Sequence, residues 1–483
     1  MPLLDTQAQV RNTVAFRTIG CRLNQCETAQ MQEALLAEGY RLVDWEESAD
    51  IRVINTCTVT SRSDKTCRNE IRSAKRLDPG CVVAVTGCYA QVRPDAVAAI
   101  PGVDLVLGNT EKPRLAEHLA GRLKDHPAVP EDAQDGATIR GGGATIPEGG
   151  ATIPEGTTPP PLVTVSPYVD HPSFEGTFFS HFYGYTRAFL KIQTGCDSRC
   201  AYCVIPLARG PARSMPRAQV LEQVRLLVSR DHHEVVLTGI DLGSWGRDTG
   251  EGSLADLLAV LLDRGGAGRY RLSSIEPLET DEALQDVIQE AGDRVAHHFH
   301  LPLQSGSDSV LSRMGRPYTA AQYLEVVTRL ADRFPNAALG ADVIAGFPGE
   351  TDREFEDTLA FIEHAPFTYL HVFSYSDRPG TPASAMQPKV HPDTIHDRSV
   401  RLRALGMRKK ETFRRRLTGM EQRALVLRER HPDGRLVGLT GSYQEVLLSG
   451  DDTLMNRFAR VRLDRALPDD RWEAGLLWVE EPA

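Results

Sequence analysis

The sequence predicts an α/β protein in three parts: an N-terminal doubly wound parallel-sheet domain, a central α/β barrel (partial TIM-like), and a small C-terminal β-barrel. Three observations carry this reading. Short β-rich runs alternate with helical patterns on both sides of a Gly/Pro-rich break. The alternation after the break is longer than the one before it. Residues 418–480 then lose the helical period and become short β-like runs separated by turns.

In the first part, residues 14–124, "VAFRTIG" precedes the helical "NQCETAQMQEALLAEG", whose Gly39 predicts a C-cap. "DIRVINT" leads into a helix from Ser63 to Leu77, "CVVAVTG" into a helix opened by Pro94, and "VDLVLGN" follows. Residues 125–175 include "GGGATIPEGGATIPEGTTPPP", near-repeats that bury too little apolar surface to offset the entropy of ordering them. They read as a flexible linker without chemistry of its own. The central part, 182–415, holds strands at 188–194, 234–239, 270–275, 298–303, 339–345 and 369–375, with helical patterns between. Ligands of such folds gather at the carboxyl ends of the strands. In the last part, 416–482, "QRALVLRER", "LVGLTGSYQEVLLSG" and "RFARVRLDRAL" are divided by "PDG" and "SGDD" turns, a pattern suited to a small barrel that binds oligonucleotides.

A length of 483 residues exceeds what one core fills, and 41% hydrophobic with 25% charged residues is a soluble globular composition. No run of about 18 apolar residues is present, and "MPLLDTQAQVRN" lacks the features of a signal peptide. The expected compartment is the cytoplasm, where thiols stay reduced, so nine cysteines point to metal or redox chemistry. A net charge of −10 opposes nucleic-acid binding on average. Between Arg398 and Arg430, however, twelve Lys/Arg face three Glu, a local net of 12 − 3 = +9. Taken alone, that run reads as a solvated helix face.

Six of the nine cysteines sort into threes. Cys196, Cys200 and Cys203 follow the strand "FLKIQTG", where Gly195 lets the chain turn. C-x3-C-x2-C can wrap three corners of an iron-sulfur cubane and leave the fourth iron without a protein ligand. Zinc is the rival, but it needs a fourth ligand, and His232 and His233 lie beyond a predicted helix. Cys21, Cys57 and Cys88 each stand at the end of a predicted strand, and parallel strands line up such ends along one sheet edge. The alternative for these three is burial as plain core thiols. Cys26, Cys67 and Cys81 read as core or surface thiols, with Cys26 close enough in sequence to assist Cys21. His297, His298 and His300 read as lining a strand.

"CDSRCAYC" followed by "VIPLARGPARS" resembles the cluster loop of the radical S-adenosylmethionine (SAM) methylthiotransferases. The resemblance extends through "TIGCRLNQCET", "VINTCTVT" and "VTGCYAQ", then "VVLTGIDLGSWG", "RLSSIEP", "LPLQSGSDSVLSRMGRPYT" and "GADVIAGFPGET". The tail is similar to the TRAM β-barrel. This resemblance implies two 4Fe-4S clusters, a radical-generating one on Cys196, Cys200 and Cys203 and an auxiliary one on Cys21, Cys57 and Cys88. SAM would chelate the open iron of the first and yield a 5′-deoxyadenosyl radical able to take hydrogen from an unreactive C–H bond. The auxiliary cluster would deliver sulfur, and a second SAM the methyl group. Tyr202 would lie against the adenine of SAM. Thr238 and Gly239 would meet its amino group, Glu276 and Gln304 its ribose or methionine part, and the backbone of "GFPGE" from Gly346 its adenine.

"LTGIDLGSWG" and "ARGPARS" resemble the branch acting on threonylcarbamoyl-adenosine of tRNA, with Met215 a departure where arginine is common. The alternatives are isopentenyl-adenosine in tRNA, an aspartate of a ribosomal protein, or, in a different class, a non-catalytic RNA-binding zinc protein. Expected partners are tRNA, a reductase or flavodoxin-type electron donor and a sulfur source, with no membrane. Arg414, Arg415 and Arg416 are the candidate tRNA-phosphate contacts.

Overall fold

The computed structural model describes residues 12–125, 160–168, 173, 174, 176 and 178–481. They fall into two compact units. The first extends to Pro167, except for residues 21–30 and 59–61, which belong to the second.

The first unit is a six-stranded sheet of β1 (Thr13–Thr18), β2 (Arg41–Val43), β3 (Ile51–Thr56), β4 (Val82–Gly87), β5 (Leu105–Leu107) and β6 (Leu162–Thr164). Its order is β2-β1-β3-β4-β5-β6, parallel throughout. β3 and β4 are buried at all positions, as central parallel strands covered on both faces must be. Arg52 in β3 is buried as well. Its guanidinium is ion-paired with Asp78, donates to the Trp45 carbonyl at 2.6 Å and lies 4.9 Å from the Trp45 ring centre. The expected C-cap at Gly39 is present, with φ of +86°.

β6 departs from the sequence reading, because it lies within the stretch 125–175 assigned to a linker. The apolar tripeptide Leu162–Thr164 pairs with β5 and closes the sheet edge, and Gln91 donates to the Ser166 carbonyl at 3.0 Å. The Gly/Pro content around this tripeptide masks its β character. The repeats themselves lie outside the described residues.

The second unit holds six parallel strands in two triplets. β7 (Ala188–Lys191), β10 (Glu234–Thr238) and β11 (Arg269–Leu272) form the first; β12 (His298–His300), β13 (Ala338–Ala345) and β14 (Tyr369–Ser374) form the second. A parallel bridge between Tyr270 and Val295 joins them, giving a six-stranded partial barrel. A two-stranded pair, β8 (Gln193–Thr194) and β9 (Arg213–Ser214), extends beyond β7. The strand expected over 298–303 stops at His300, because Pro302 has no N–H to pair.

The C-terminal strands β15 (Glu421–Arg430), β16 (Leu436–Thr440), β17 (Glu445–Leu448), β18 (Phe458–Ala466) and β19 (Trp472–Val479) close a barrel in the order β15-β16-β17-β19-β18. It follows a 26-residue helix, Pro392–Leu417. Arginines of β11 fasten it to the core. Arg269 donates to the carbonyls of Arg423 and Leu439 at 3.0 and 2.8 Å, and Arg271 to those of Gly441 and Thr440 at 3.1 and 2.9 Å. Both also pair with Glu234, which is fully buried. Burial opposes its charge, yet Arg269, Arg271 and Arg187 outweigh that and hold its carboxyl far below the usual range. Among the described residues no helix is long and apolar enough to cross a membrane.

Candidate active site

The loop carrying Cys196, Cys200 and Cys203 leaves β8 at the carboxyl end of the first barrel strand, where this architecture collects ligands. Its shape is fixed at each step. Gly195 sits at φ +73°, and a Cβ there would collide with the Pro211 carbonyl oxygen. The Cys196 amide donates to Gly210 at 3.1 Å, the Cys203 amide to Cys200 at 3.0 Å and the Ala201 amide to Met314 at 2.8 Å. Burial and the neighbouring Asp241, 3.8 Å away, push the Cys196 thiol up to about 12. Burial pushes Cys203 up to about 11. A single zinc with Zn–S near 2.3 Å would draw its sulfurs to about 3.8 Å apart. Among the described residues, the one trio of His, Cys, Asp or Glu ligand atoms gathered within 4.8 Å is instead His300, Asp342 and His371.

Two side chains that sequence reasoning missed brace this loop. Gln193, wholly buried, accepts from the Ile240 and Asp241 amides at 2.9 Å each. Its amide group donates to the carbonyls of Thr194 and Gly195 at 3.2 and 3.0 Å. It thus ties the cluster loop to the loop after β10. Arg316 donates to Cys200 Sγ at 3.3 Å and to Tyr318 at 3.0 Å, and it is ion-paired with Glu276. A polar residue inside the apolar run "FLKIQTG" was a readable signal for Gln193. Arg316 had none.

The expected SAM contacts surround the same mouth. Tyr202 packs against the cluster of Ala201, Val310, Met314 and Phe347. Thr238 ends β10, and its carbonyl accepts from Ile192 at 3.0 Å. Gly239 has Gln193 and Leu242 so close that a Cβ would crowd both. Glu276 lies four residues past β11, and burial raises its carboxyl despite Arg316. Gln304, at φ +70°, exchanges backbone hydrogen bonds with Asp342 and Ile344 at 2.8 and 2.9 Å. The Gly346 amide is already taken by the Glu350 carboxylate at 2.8 Å, so this residue has only its carbonyl to offer.

Cys57 directly follows β3 and Cys88 directly follows β4. Thr56 pairs with Gly87, which sets these two strand ends level. Cys21 comes three residues after the end of β1 and is exposed. Gly87 adopts φ +99°, and a Cβ there would strike the Thr56 backbone. Cys67 does more than fill the core. The Cys57 amide donates to its sulfur at 3.4 Å, and its thiol donates to the Cys57 carbonyl at 3.3 Å. Burial raises the Cys67 thiol to about 12 and the Cys81 thiol to about 11. Cys26 is wholly buried, accepts from the Lys191 amide at 3.4 Å and is raised to about 12 by burial. It is a core thiol, not a helper of Cys21.

The basic run is largely neutralised by carboxylates of other elements. Arg398 pairs with Glu350 and Asp352, Arg401 with Glu356, Arg408 with Glu363 and Arg423 with Glu480. Arg414, proposed from sequence as a phosphate contact, is buried. It pairs with Asp470 at 3.2 Å, donates to the Leu467 and Arg471 carbonyls and lies 5.3 Å from the Trp472 ring centre. Its helical position, three residues before Leu417, turns it toward the barrel. Arg415 and Arg416 are exposed and have no carboxylate partner among the described residues.

The radical SAM superfamily profile matches residues 190–362, and that of "Uncharacterized protein family UPF0004" matches residues 13–108. The threonylcarbamoyladenosine tRNA methylthiotransferase MtaB of Aquifex aeolicus is 38% identical over 417 residues, 86% of this chain and 93% of that protein. The MtaB of Bacillus subtilis is 36% identical over 462 residues, 94% of each chain. The tRNA-2-methylthio-N(6)-dimethylallyladenosine synthase of Roseobacter denitrificans is 31% identical over 435 residues, 88% of this chain and 89% of that protein. Among solved structures, the radical SAM methyltransferase TsrM of Kitasatospora setae shares the fold at a TM-score of 0.54 and 18% identity, over 78% of this chain and 74% of that one.

Proposed function

Since the chain belongs to the radical SAM methylthiotransferase family, we propose that it inserts a methylthio group at C2 of N6-threonylcarbamoyladenosine beside the anticodon of tRNA. The observation that carries the reading is the Cys196–Cys203 loop, held by Gln193 and Arg316 at the barrel mouth. The substrate branch follows the relatives at 36–38% identity rather than the one at 31%.

On this reading Cys196, Cys200 and Cys203 hold one 4Fe-4S cluster and Cys21, Cys57 and Cys88 the other, with SAM as co-substrate. When bound, these groups supply the radical that removes hydrogen from C2, the sulfur and the methyl group. The chain's own side chains shape the pocket. Gln193 keeps the cluster loop and the loop after β10 in register. Arg316 sets a positive charge against Cys200 and anchors Glu276, leaving the rest of that carboxylate to face SAM. Tyr202 offers a ring to the adenine, while Thr238, Gly239, Gln304 and the Gly346 carbonyl line the same opening. Arg415 and Arg416, with the β-barrel beyond them, contribute to tRNA docking. A reductase or flavodoxin-type donor and a sulfur source complete the reaction, which we place in the cytoplasm.

The test is mass spectrometry of tRNA nucleosides from cells lacking the gene. Loss of the methylthio group from threonylcarbamoyladenosine alone is expected. Loss confined to isopentenyladenosine would refute the substrate assignment.

A further inference from the structure

The trio His300, Asp342 and His371 lies in the barrel and belongs to none of the roles above. Asp342 and His371 are direct partners in the β13–β14 register. His300 Nε2 lies 2.9 Å and His371 Nδ1 lies 3.4 Å from the same oxygen, Asp342 Oδ1. Behind them, His300 Nδ1 meets the Tyr369 hydroxyl at 2.9 Å, and that hydroxyl meets His298 Nε2 at 2.8 Å. The chain of five groups begins at buried His298 and ends at His371, whose side chain is 56% exposed. Nothing among the described residues bonds His371 Nε2.

Such a chain fixes a ring and aims it. Burial disfavours the Asp342 charge, but hydrogen bonds from His300 and His371 outweigh it and hold the carboxyl far below its usual range. A carboxylate on Nδ1 orients the imidazole and leaves Nε2 for a ligand, to which an imidazolium donates a charge-assisted hydrogen bond. The trio adjoins residues proposed for the SAM site. The Asp342 carbonyl accepts from Gln304, and its charge is felt at Glu276, which Arg316 connects to Cys200.

We propose that His371, oriented by Asp342, binds the carboxylate of the amino-acid substituent on N6 of the substrate base. The inference rests on the threonylcarbamoyladenosine reading. C2 and C6 flank N1 of one ring, so a base with C2 at the reaction centre necessarily carries its N6 substituent into the same mouth. The threonyl carboxylate is the ionised group that separates this substrate from an isopentenyl one, and a site built to hydrogen-bond it discriminates against analogues that lack it.

The test uses the reconstituted full-length enzyme and two anticodon stem-loops, one with threonylcarbamoyladenosine and one with its neutral methyl amide. The wild type should prefer the acid by roughly tenfold or more in kcat/KM. His371→Leu should lose that preference through a raised KM for the acid, with little change for the amide. Asp342→Asn, which keeps the shape but not the charge, should lose part of it. An acid preference that survives His371→Leu, or an equal loss on both RNAs confined to kcat, would overturn the carboxylate site alone. So would stoichiometric zinc in the wild type that His371→Leu releases, since the trio would then be a metal site. A wild type that acts on neither RNA but does act on an isopentenyladenosine stem-loop would overturn the substrate reading and this site with it.

Discussion

The two proposed cysteine triads are built in opposite ways. Cys196, Cys200 and Cys203 ride one short loop, turned at Gly195 and braced by Gln193 and Arg316. Cys57 and Cys88 of the proposed second set are far apart in sequence and stand level because their strands pair, with Thr56 facing Gly87. A loop-borne site can be read, and damaged, one residue at a time. A sheet-borne set exists only once the strands have found their register.

The largest expected effect separates the two sets by what survives. Cys196→Ala and Cys57→Ala should each abolish methylthio transfer and each lose about four of about eight irons per chain. Cys196→Ala should also abolish reductant-dependent 5′-deoxyadenosine formation, whereas Cys57→Ala should leave it. Iron analysis and product chromatography of anaerobically reconstituted protein would read this. Loss of SAM cleavage in both variants at retained secondary structure would break the division of labour.

This contrast also explains what could be read from the sequence. The strand-helix alternation, the closing β-barrel and the cysteine loop after the first barrel strand are local patterns, and each is present in the structure. The braces are not local. Gln193 could have been suspected as a polar residue in an apolar strand, but Arg316 reaches Cys200 from more than a hundred positions away. The strand Leu162–Thr164 beyond the Gly/Pro-rich stretch likewise depends on tertiary pairing that overrides composition. The count of +9 over 398–430 misled for the same reason, because the neutralising carboxylates lie on other elements.

Three adjacent arginines make the distinction between local and assembled chemistry testable on a smaller scale. Replacing Arg415 and Arg416 together with Ala should weaken tRNA binding several-fold and reduce the salt slope by up to about 2, since each phosphate contact contributes about 1. Arg414→Ala should leave that slope unchanged and instead lower thermal stability, because it removes hydrogen bonds to Leu467 and Arg471. Filter binding across a salt titration, alongside thermal melts, would decide. A salt slope that falls for Arg414→Ala but not for the double variant would reverse the assignment.

The smallest effect concerns how far the loop's support extends. Met314, whose carbonyl receives the Ala201 amide of the cluster loop, ends the helix Asp308–Met314. The preceding Arg313 is clamped by Glu354 at 2.8 and 3.0 Å. Arg313 chiefly, then Ser309 and Thr351, outweigh the modest burial of Glu354 and depress its carboxyl from an ordinary 4.5 to about 2. A folded-state value below the unfolded one means stabilisation that is complete above about 4.5 and is lost as pH falls toward about 2. Glu354→Gln should therefore lower the Tm by about 2 °C at neutral pH, and the gap should narrow as pH falls through that window. Differential melts of wild type and variant would show it. A gap that stayed constant down to acid pH would mean that the clamp acts through shape and neutral hydrogen bonding, and that the loop's electrostatic support stops at Arg316.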